Sequence, residues 1–388
     1  MRRCYFDYNA TTPVDPRVLE AMLPYFGPEY GNASSLHRFG QDARQGVESA
    51  RRQVAAELGC DAKDVVFTSG GTEADNLAVF GTVRAAAAPT RHVITTQIEH
   101  PAVLNACEQL EREGAEVTYL PVSSEGLVAP DDVRAALRPD TRLITVMHAN
   151  NELGTMQPIK EIGLIAREAG VPLHTDGVQS FGKARTQVKD LGVDFFSLSA
   201  HKIYGPKGAG ALYVRRGLQL AKVQYGGSHE RDRRPGTENV PGIVGLGAAA
   251  ELAGSDREDE NKRVAGLRDR LERGVLDTIP DAHVHGLNSP RLPTTSSVRF
   301  DHAESEPLLI ALDLQGFAVS SGSACSSGAV KPSHVLTAIG LSRDQAKSTL
   351  RFSLGRLTTE GQVDALLETL PGIVERLRVL SPSWAGAA

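Results

Sequence analysis

The amine of Lys202 is the side chain whose position most suggests chemistry, because it closely follows the apolar residues 195–198. Such a run is typical of a buried strand. Burial lowers the pKa of a lysine and makes its amine a nucleophile for carbonyl groups. A lone lysine is more often a surface residue whose stem packs on the protein. The glycines around Lys207 stand in the wrong order relative to the strand for a dinucleotide loop.

A glycine turn follows another apolar run, at residues 65–67. The next residues, 68–73, read Thr-Ser-Gly-Gly-Thr-Glu and begin a predicted helix. Gly70 and Gly71 let the backbone approach an anion, and the first N–H groups of the helix and the hydroxyl of Thr72 can donate to it. This chemistry suits a phosphate. A plain capped turn explains the segment about as well, and no Gly-Lys-Ser/Thr follows, so it is not a P-loop.

A carboxylate, Asp176, follows the apolar residues 171–174. A carboxylate at the end of a core strand is costly to bury unless it is paired, and a cationic ring nitrogen is one possible partner. An aspartate that caps a turn is the commoner explanation for one such residue. A phosphate cradle, a carboxylate for a pyridinium and a lysine for an aldehyde are together what pyridoxal 5'-phosphate (PLP) requires. Each signal is weak alone, and their order along one domain makes PLP the predicted cofactor.

Alternating strands and helices must position these residues. Apolar runs typical of strands are separated by helical patterns such as 101–113 and 159–168. The strand-like runs occur at residues 65–67, 92–95, 116–120, 143–146, 171–174, 195–198 and 211–214. The alternation predicts an α/β fold with a mostly parallel seven-stranded sheet and helices on both faces. Ligands of such sheets bind beyond the carboxyl ends of the strands, where the three polar segments lie.

The pattern changes after the charged segment 255–263, which is predicted to begin a long polar helix into a smaller α+β domain. That domain is expected to contain strands at 295–300 and 317–320 and a final amphipathic helix at 360–377. The predicted organisation is a segment at 1–14 that packs with the small domain, a large cofactor domain at 15–255 and the small domain at 256–388.

The composition excludes several classes of protein. The 388 residues carry a formal net charge of −5 and no long basic run, so we expect no stable binding to nucleic acid or to a membrane surface. No apolar run approaches the roughly 20 residues that span a bilayer. Residues 1–12 lack the apolar stretch of a signal peptide, so the expected location is the cytoplasm. The four cysteines are scattered, which argues against a disulfide framework and a metal site.

Motifs across nearly the whole chain resemble the NifS/IscS branch of the cysteine desulfurases, within the fold-type I PLP enzymes (class V aminotransferase superfamily). The lysine segment combined with the cysteine segment makes the resemblance specific. The matching segments are 5–12 (YFDYNATT), 31–35 (GNASS), 68–73 (TSGGTE), 99–103 (EHPAV), 150–154 (NNELG), 174–176 (HTD), 199–208 (SAHKIYGPKG), 236–239 (GTEN), 320–327 (SSGSACSS) and 351–356 (RFSLGR).

The resemblance implies roles for individual residues. Lys202 bonds the cofactor aldehyde, Asp176 pairs with the ring nitrogen, Gln179 contacts the ring hydroxyl, and His100 stacks on the ring and transfers protons. The phosphate ligands implied are Gly71, Thr72, Ser199 and His201, joined by Thr237 from the other subunit of a homodimer. The implied ligands of the substrate carboxylate are Asn151 and Arg351.

The implied activity converts L-cysteine to L-alanine and leaves the sulfur as a persulfide on Cys325. The sulfur then passes to an acceptor or scaffold protein, for iron–sulfur cluster assembly or thiolation. Cys325 stands in a run of small residues, which favours a mobile segment. A selenocysteine lyase, or another fold-type I lyase or aminotransferase, would keep Lys202 and Asp176 but would not need Cys325.

The chain departs from the pattern of these enzymes at two positions. Gly177 stands where they usually have alanine, which leads us to expect slightly looser packing on the cofactor ring. Pro235 stands where a small residue is usual.

Overall fold

A computed structural model describes residues 3–86, 90–321 and 332–381. Its strands are β1 Cys4–Tyr5, β2 Val65–Thr68, β3 His92–Thr96, β4 Glu116–Leu120, β5 Thr141–Thr145, β6 Leu173–Asp176, β7 Phe195–Ser199, β8 Gly210–Val214, β9 Ala282–Val284, β10 Thr295–Phe300, β11 Phe317–Ala318 and β12 Thr349–Ser353. Its helices are α1 Pro16–Met22, α2 Arg38–Leu58, α3 Gly71–Ala85, α4 Pro101–Arg112, α5 Pro130–Ala136, α6 Ile159–Ala169, α7 Val188–Leu191, α8 Val240–Thr278, α9 Ser305–Leu314, α10 His334–Ala338, α11 Arg343–Lys347 and α12 Glu360–Leu380.

The main sheet has seven strands in the order β2-β8-β7-β6-β5-β3-β4. Only β8 runs antiparallel to its neighbours, which confirms the predicted α/β fold with a mostly parallel sheet. The apolar run predicts a strand at 171–174, and the strand observed, β6, begins and ends two residues later. Pro172 cannot donate to a ladder, and pairing with β5 begins at Leu173.

Both faces of this sheet are covered because successive side chains of a strand point to opposite sides. Val65 and Phe67 of β2 join one buried cluster, with residues of α2, α6 and the first half of α8. Val66, between them, joins the other cluster, with residues of α3 and α4. The apolar runs of the sequence are therefore continuous because both of their faces are buried.

A second core lies around the antiparallel sheet β12-β10-β9, with buried residues from α9, α12 and the second half of α8. The N-terminal segment joins this core, since Cys4 and Phe6 belong to it and β1 pairs in parallel with β11. The boundaries at 14 and 255 remain a proposal.

The long helix α8 connects the two cores and starts earlier than expected. It begins at Val240, so the charged segment 255–263 lies in its middle and does not begin it. The buried residues of α8 stop at Ala253 and resume at Val264, because the turns between them cross from one core to the other. That position, outside both cores, explains the charges. None of the helices in the described part of the chain is long and apolar enough to span a membrane.

Candidate cofactor and substrate site

A cavity of about 550 Å³ opens at the carboxyl edge of the main sheet. The segments after β2, β3, β5, β6 and β7 reach it, and the small sheet closes it with residues of β12 and of the chain after β11. The predicted site residues in its wall are Gly71, Thr72, His100, Asn151, Asp176, Gln179, Ser199, His201, Lys202 and Arg351. Cys325 lies outside the described residues. Thr237 is exposed and lies in a separate surface depression with Tyr225.

The amine of Lys202 faces this cavity from the short turn Ala200–Lys202, directly after β7. It donates to the carbonyl oxygens of Asn9 and Ala10, the latter at 2.9 Å. Burial is the largest of the effects that together lower the pKa of Lys202 to about 8; the charge of Arg351 acts in the same direction, and Asp176 opposes it. A sizeable neutral fraction of the amine is therefore present near neutral pH, as a nucleophile requires.

The carboxylate of Asp176 lies at the end of β6, and its residue is 5% exposed. Its Oδ1 accepts a hydrogen bond from the backbone N–H of Val178 at 2.9 Å. Burial raises the pKa of Asp176 to about 6, and the neighbouring carboxylate of Asp75 raises it as well. A cationic ring nitrogen at this place would relieve the desolvation cost and favour the ionised carboxylate.

The ring of His100 completes a cluster in which ligand atoms of Asp75, His100 and Asp176 lie within 4.8 Å of one another. The spacing is one that a metal ion can use, and the cluster lines the same cavity as Lys202. The Nδ1 of His100 accepts from the N–H of Ala102 at 3.1 Å. This bond places the proton of a neutral His100 on Nε2. Although the residue is exposed, partial desolvation lowers the pKa of His100, so the neutral form prevails.

The start of α3, in the wall of the same cavity, can bind an anion. Helix α3 begins at Gly71, and no side chain caps it at Gly70, so the first N–H groups of a 15-residue helix remain available. A Cβ at Gly71 would lie 2.6 Å from Cγ2 of Val178, so the backbone needs glycine to pack here. Ser199 and His201 border the same space.

Arg351 of β12 brings the small sheet into the site. Its Nη2 pairs with Asp7 at 2.7 Å, and its Nη1 donates to the carbonyl of Asn151 at 3.0 Å. Its Nε has no hydrogen-bond partner among the described residues. The sequence reasoning missed Asp7 and Asn9 as site residues, although both belong to the 5–12 segment that carries the resemblance.

These residues fit PLP. A cavity of about 550 Å³ is in the ordinary range for small-molecule sites. It contains one amine with a lowered pKa, one buried carboxylate with no ion-pair partner in the described part of the chain, and one uncapped helix start with hydroxyl and imidazole groups beside it. These are the groups needed for an aldehyde, a pyridinium and a phosphate.

The position of Gly177 gives a different picture from the expected loosening. A Cβ at this residue would lie 1.9 Å from Cζ of Phe196, whose side chain is fully buried. The aromatic ring of Phe196 therefore occupies the space that a methyl group at 177 would need. Phe196 of β7 thus fills the space beside Gly177, and no void is left there.

The model of the family "Aminotransferase class-V" matches residues 4–366. This chain belongs to the class-V aminotransferase family. A "Cysteine desulfurase" of Nostoc sp. is 51% identical to this chain over 378 residues, which are 97% of this chain and 94% of that protein. The "Cysteine desulfurase IscS" of Dictyoglomus turgidum is 47% identical over 381 residues, 98% of this chain and 97% of the relative.

A solved "NIFS-LIKE PROTEIN" superposes with a TM-score of 0.90 at 37% identity and covers 96% of this chain and 100% of its own. The expected resemblance and fold are thus confirmed, and the enzymes of this family depend on PLP. The roles of the individual site residues stay predictions.

The lowered pKa of Lys202 predicts how the cofactor-free protein takes up PLP. Only the neutral amine attacks an aldehyde, so the rate of uptake should rise about tenfold per pH unit at low pH and level off above about pH 8. Stopped-flow absorbance of PLP mixed with the cofactor-free protein between pH 6 and 10 measures this rate. A rate that keeps rising to pH 10, as for an ordinary lysine, would contradict the assigned environment of Lys202.

Proposed function

We propose that this member of the class-V aminotransferase family is a cysteine desulfurase, which converts L-cysteine to L-alanine and leaves the sulfur as a persulfide on Cys325. The observation that carries the proposal is the single cavity in which the amine of Lys202, the carboxylate of Asp176 and the guanidinium of Arg351 meet. Relatives at about half identity that bear this name support it, as does a solved structure, "SspA in complex with cysteine", at 39% identity and a TM-score of 0.82 over 92% of this chain and 99% of its own.

The substrate carboxylate is proposed to bind between Arg351 and Asn151. A guanidinium can donate two parallel hydrogen bonds to a carboxylate. The Nε of Arg351 makes no hydrogen bond to any described residue, so binding a ligand there breaks none. The ion pair with Asp7 orients the guanidinium. The amino group of the substrate then lies toward Lys202, which lines the same cavity.

Bound PLP supplies an electron-withdrawing ring that stabilises negative charge at the Cα of an amino acid attached to it. Asp176 is proposed to hold the ring nitrogen protonated, which strengthens this effect. The amine of Lys202 is proposed to remove the Cα proton, and its pKa of about 8 suits a base at neutral pH. The Nε2–H of His100, left free of the Ala102 bond at Nδ1, is the proposed proton donor.

The sulfur step is proposed for the thiolate of Cys325. The thiolate attacks the sulfur of the substrate, an S–S bond forms as the C–S bond breaks, and Cβ gains a proton in the alanine that leaves. Ser320 and Ser321 lie in the wall of the cavity. The four Cα–Cα steps from Ser321 to Cys325 span at most about 14 Å when fully extended, so the sequence separation allows the thiol to reach the substrate.

Alanine release tests the proposal and separates it from the alternative, a selenocysteine lyase. The PLP-loaded protein is supplied with L-cysteine or L-selenocysteine, and alanine is quantified over many turnovers with a thiol reductant present. A cysteine desulfurase gives alanine from L-cysteine at a rate at least comparable to that from L-selenocysteine. Alanine from L-selenocysteine alone would favour the lyase, and transamination products would refute both.

We also propose a homodimer in which Thr237 completes the phosphate site of the other subunit. Thr237 is exposed and lies outside the cavity of its own chain. Nearby Tyr225 is 85% exposed, and the rings of Tyr30 and Phe39, which are tilted against each other with centroids 5.6 Å apart, are exposed as well. Apolar surface of this kind is typical of an interface. Light scattering should give twice the chain mass of 41.5 kDa. A monomer that binds PLP normally would contradict the shared site.

The persulfide is proposed to pass to an acceptor or scaffold protein in the cytoplasm, for iron–sulfur cluster assembly or thiolation. The chemistry needs a second thiol, because a persulfide transfers its outer sulfur by exchange with a thiolate. Affinity capture of the intact protein from its own cells, before and after treatment with L-cysteine, tests this step. Failure of sulfur to move from the protein to any captured protein would contradict it.

A further inference from the structure

A second lysine, Lys183, lies next to the site and has no part in the mechanism above. It follows Gln179 by four residues, in the turns that come after β6. Its Nζ donates to Oε1 of Gln179 at 3.3 Å. Its carbonyl oxygen accepts from Nδ2 of Asn261 at 2.6 Å, which ties the turns to α8.

Lys183 and Lys202 together line a second, small cavity of about 30 Å³, whose wall includes residues of α8. The charged groups in its wall, besides the two lysines, are Asp256, Arg257, Glu260 and Arg356. The carboxylates are already paired, Asp256 with Arg17 and Arg356 at 3.4 Å each, and Glu260 with Arg263 at 3.2 Å.

No carboxylate in the described ranges lies within ion-pair distance of the amine of Lys183. Burial, together with the charges of Lys202 and Arg351, lowers the pKa of Lys183 to about 7. A lysine in this position loses part of its charge and gains little from electrostatics. The side-chain interaction that connects Lys183 to the cavity is therefore its hydrogen bond to Gln179.

The two partners of Gln179 determine which way its amide faces. Nε2 of Gln179 donates to the carbonyl oxygen of Asn9 at 3.1 Å, and that oxygen can only accept. Lys183 donates to Oε1 on the other side. These two partners therefore determine which end of the Gln179 amide is the oxygen and which is the nitrogen. The second hydrogen on Nε2 is the group that Gln179 can offer to a ligand in the cavity.

We propose that Lys183 is a positioning residue, which holds Gln179 so that its N–H faces the oxygen of the bound cofactor ring and thereby sets the ionisation of that cofactor. The inference rests on the proposed PLP-dependent function. A donor to the ring oxygen favours its anionic form. A cationic donor on Oε1 polarises the amide and strengthens the N–H on its other end.

A pH titration of the visible absorbance of bound PLP, without substrate, measures this ionisation in the intact holoenzyme. Lys183→Met keeps an apolar stem and removes the donor. This variant should raise the pKa of the bound cofactor by about 1 unit, because the weaker N–H of Gln179 no longer favours the anionic form of the ring oxygen as strongly. Lys183→Arg, which keeps a charged donor, should restore most of the shift. Lys207→Met, at an exposed lysine, should leave the pKa unchanged.

A double-mutant cycle with Gln179→Ala separates action through Gln179 from a direct effect of charge. If Lys183 acts through Gln179, Lys183→Met adds little or no shift in the Gln179→Ala background. An equal shift in both backgrounds, or no shift in the single variant, would overturn the inference. Should Lys183→Met fail to fold, Lys183→Leu, which also has no donor, carries the same comparison.

The proposed function and this inference fail in different ways. A native protein that binds no PLP or releases no alanine from L-cysteine refutes the function. Variants that bind PLP in full amount, with an unshifted cofactor pKa, refute only the role of Lys183.

Discussion

Lys202→Ala is expected to abolish turnover, with alanine production from L-cysteine reduced by roughly 10³-fold or more. The amine of Lys202 is proposed both to bond the cofactor and to remove the Cα proton, and loss of a positioned acid–base group alone costs about 10²–10⁴-fold. The phosphate and ring ligands remain in this variant, so PLP should still bind without a covalent link. Borohydride reduction followed by denaturation should then leave PLP on the native protein and none on the variant.

A nearby lysine provides the matched control for this prediction. Lys207 lies five residues further along the same segment and is exposed, so Lys207→Ala should keep both the covalent cofactor and the alanine rate. Near-normal alanine production by Lys202→Ala would refute the assignment. Loss of activity in both variants would point to damage of the segment and leave the Lys202 prediction to the reduction experiment.

Cys325→Ala is expected to abolish sulfur transfer and leave the cofactor chemistry intact. PLP binding, and the change in its absorbance on addition of L-cysteine, depend on Lys202, Asp176 and Arg351, which this variant keeps. Without a thiolate to accept the sulfur, the C–S bond has no nucleophile to break it, and steady-state alanine release should fall by roughly 10²-fold or more. Spectral titration with L-cysteine and an alanine assay measure the two halves separately.

The other cysteines provide the control for the sulfur step. Cys4 and Cys107 are buried, and Cys60 is partly buried with a pKa raised by burial, so none of the three has a reactive environment. Cys60→Ala should therefore behave as the native protein. Sulfide production from L-cysteine at the native rate by Cys325→Ala would show that the sulfur role is wrong.

The sequence predicted the sheet and the residues at its carboxyl edge because both follow local rules. Apolar runs with buried residues on both faces identify strands, and polar segments directly after them must meet where parallel strands end. Thus Gly71, Asp176 and Lys202, spread over 132 positions of the chain, line one cavity as the strand order requires. The large domain needed no long-range information beyond this rule.

Other features depend on contacts between distant segments, which one sequence does not reveal. The carbonyl of Asn9 meets Lys202 and Gln179, and Asp7 meets Arg351, only because the N-terminal segment joins the small domain and crosses the cavity. The start of α8 at Val240 was missed because its first turns are rich in Gly and Ala and show little helical amphipathicity. The role proposed for Thr237 depends on a second chain, which the sequence of one chain does not reveal.

The most direct test of the central claim is a single turnover of the PLP-loaded protein with one equivalent of L-cysteine, without a reductant. We predict one equivalent of L-alanine and, in peptide mass mapping, the mass of one added sulfur atom on the peptide that contains Cys325. Alanine without sulfur on Cys325, or sulfur carried by another cysteine, would contradict the account.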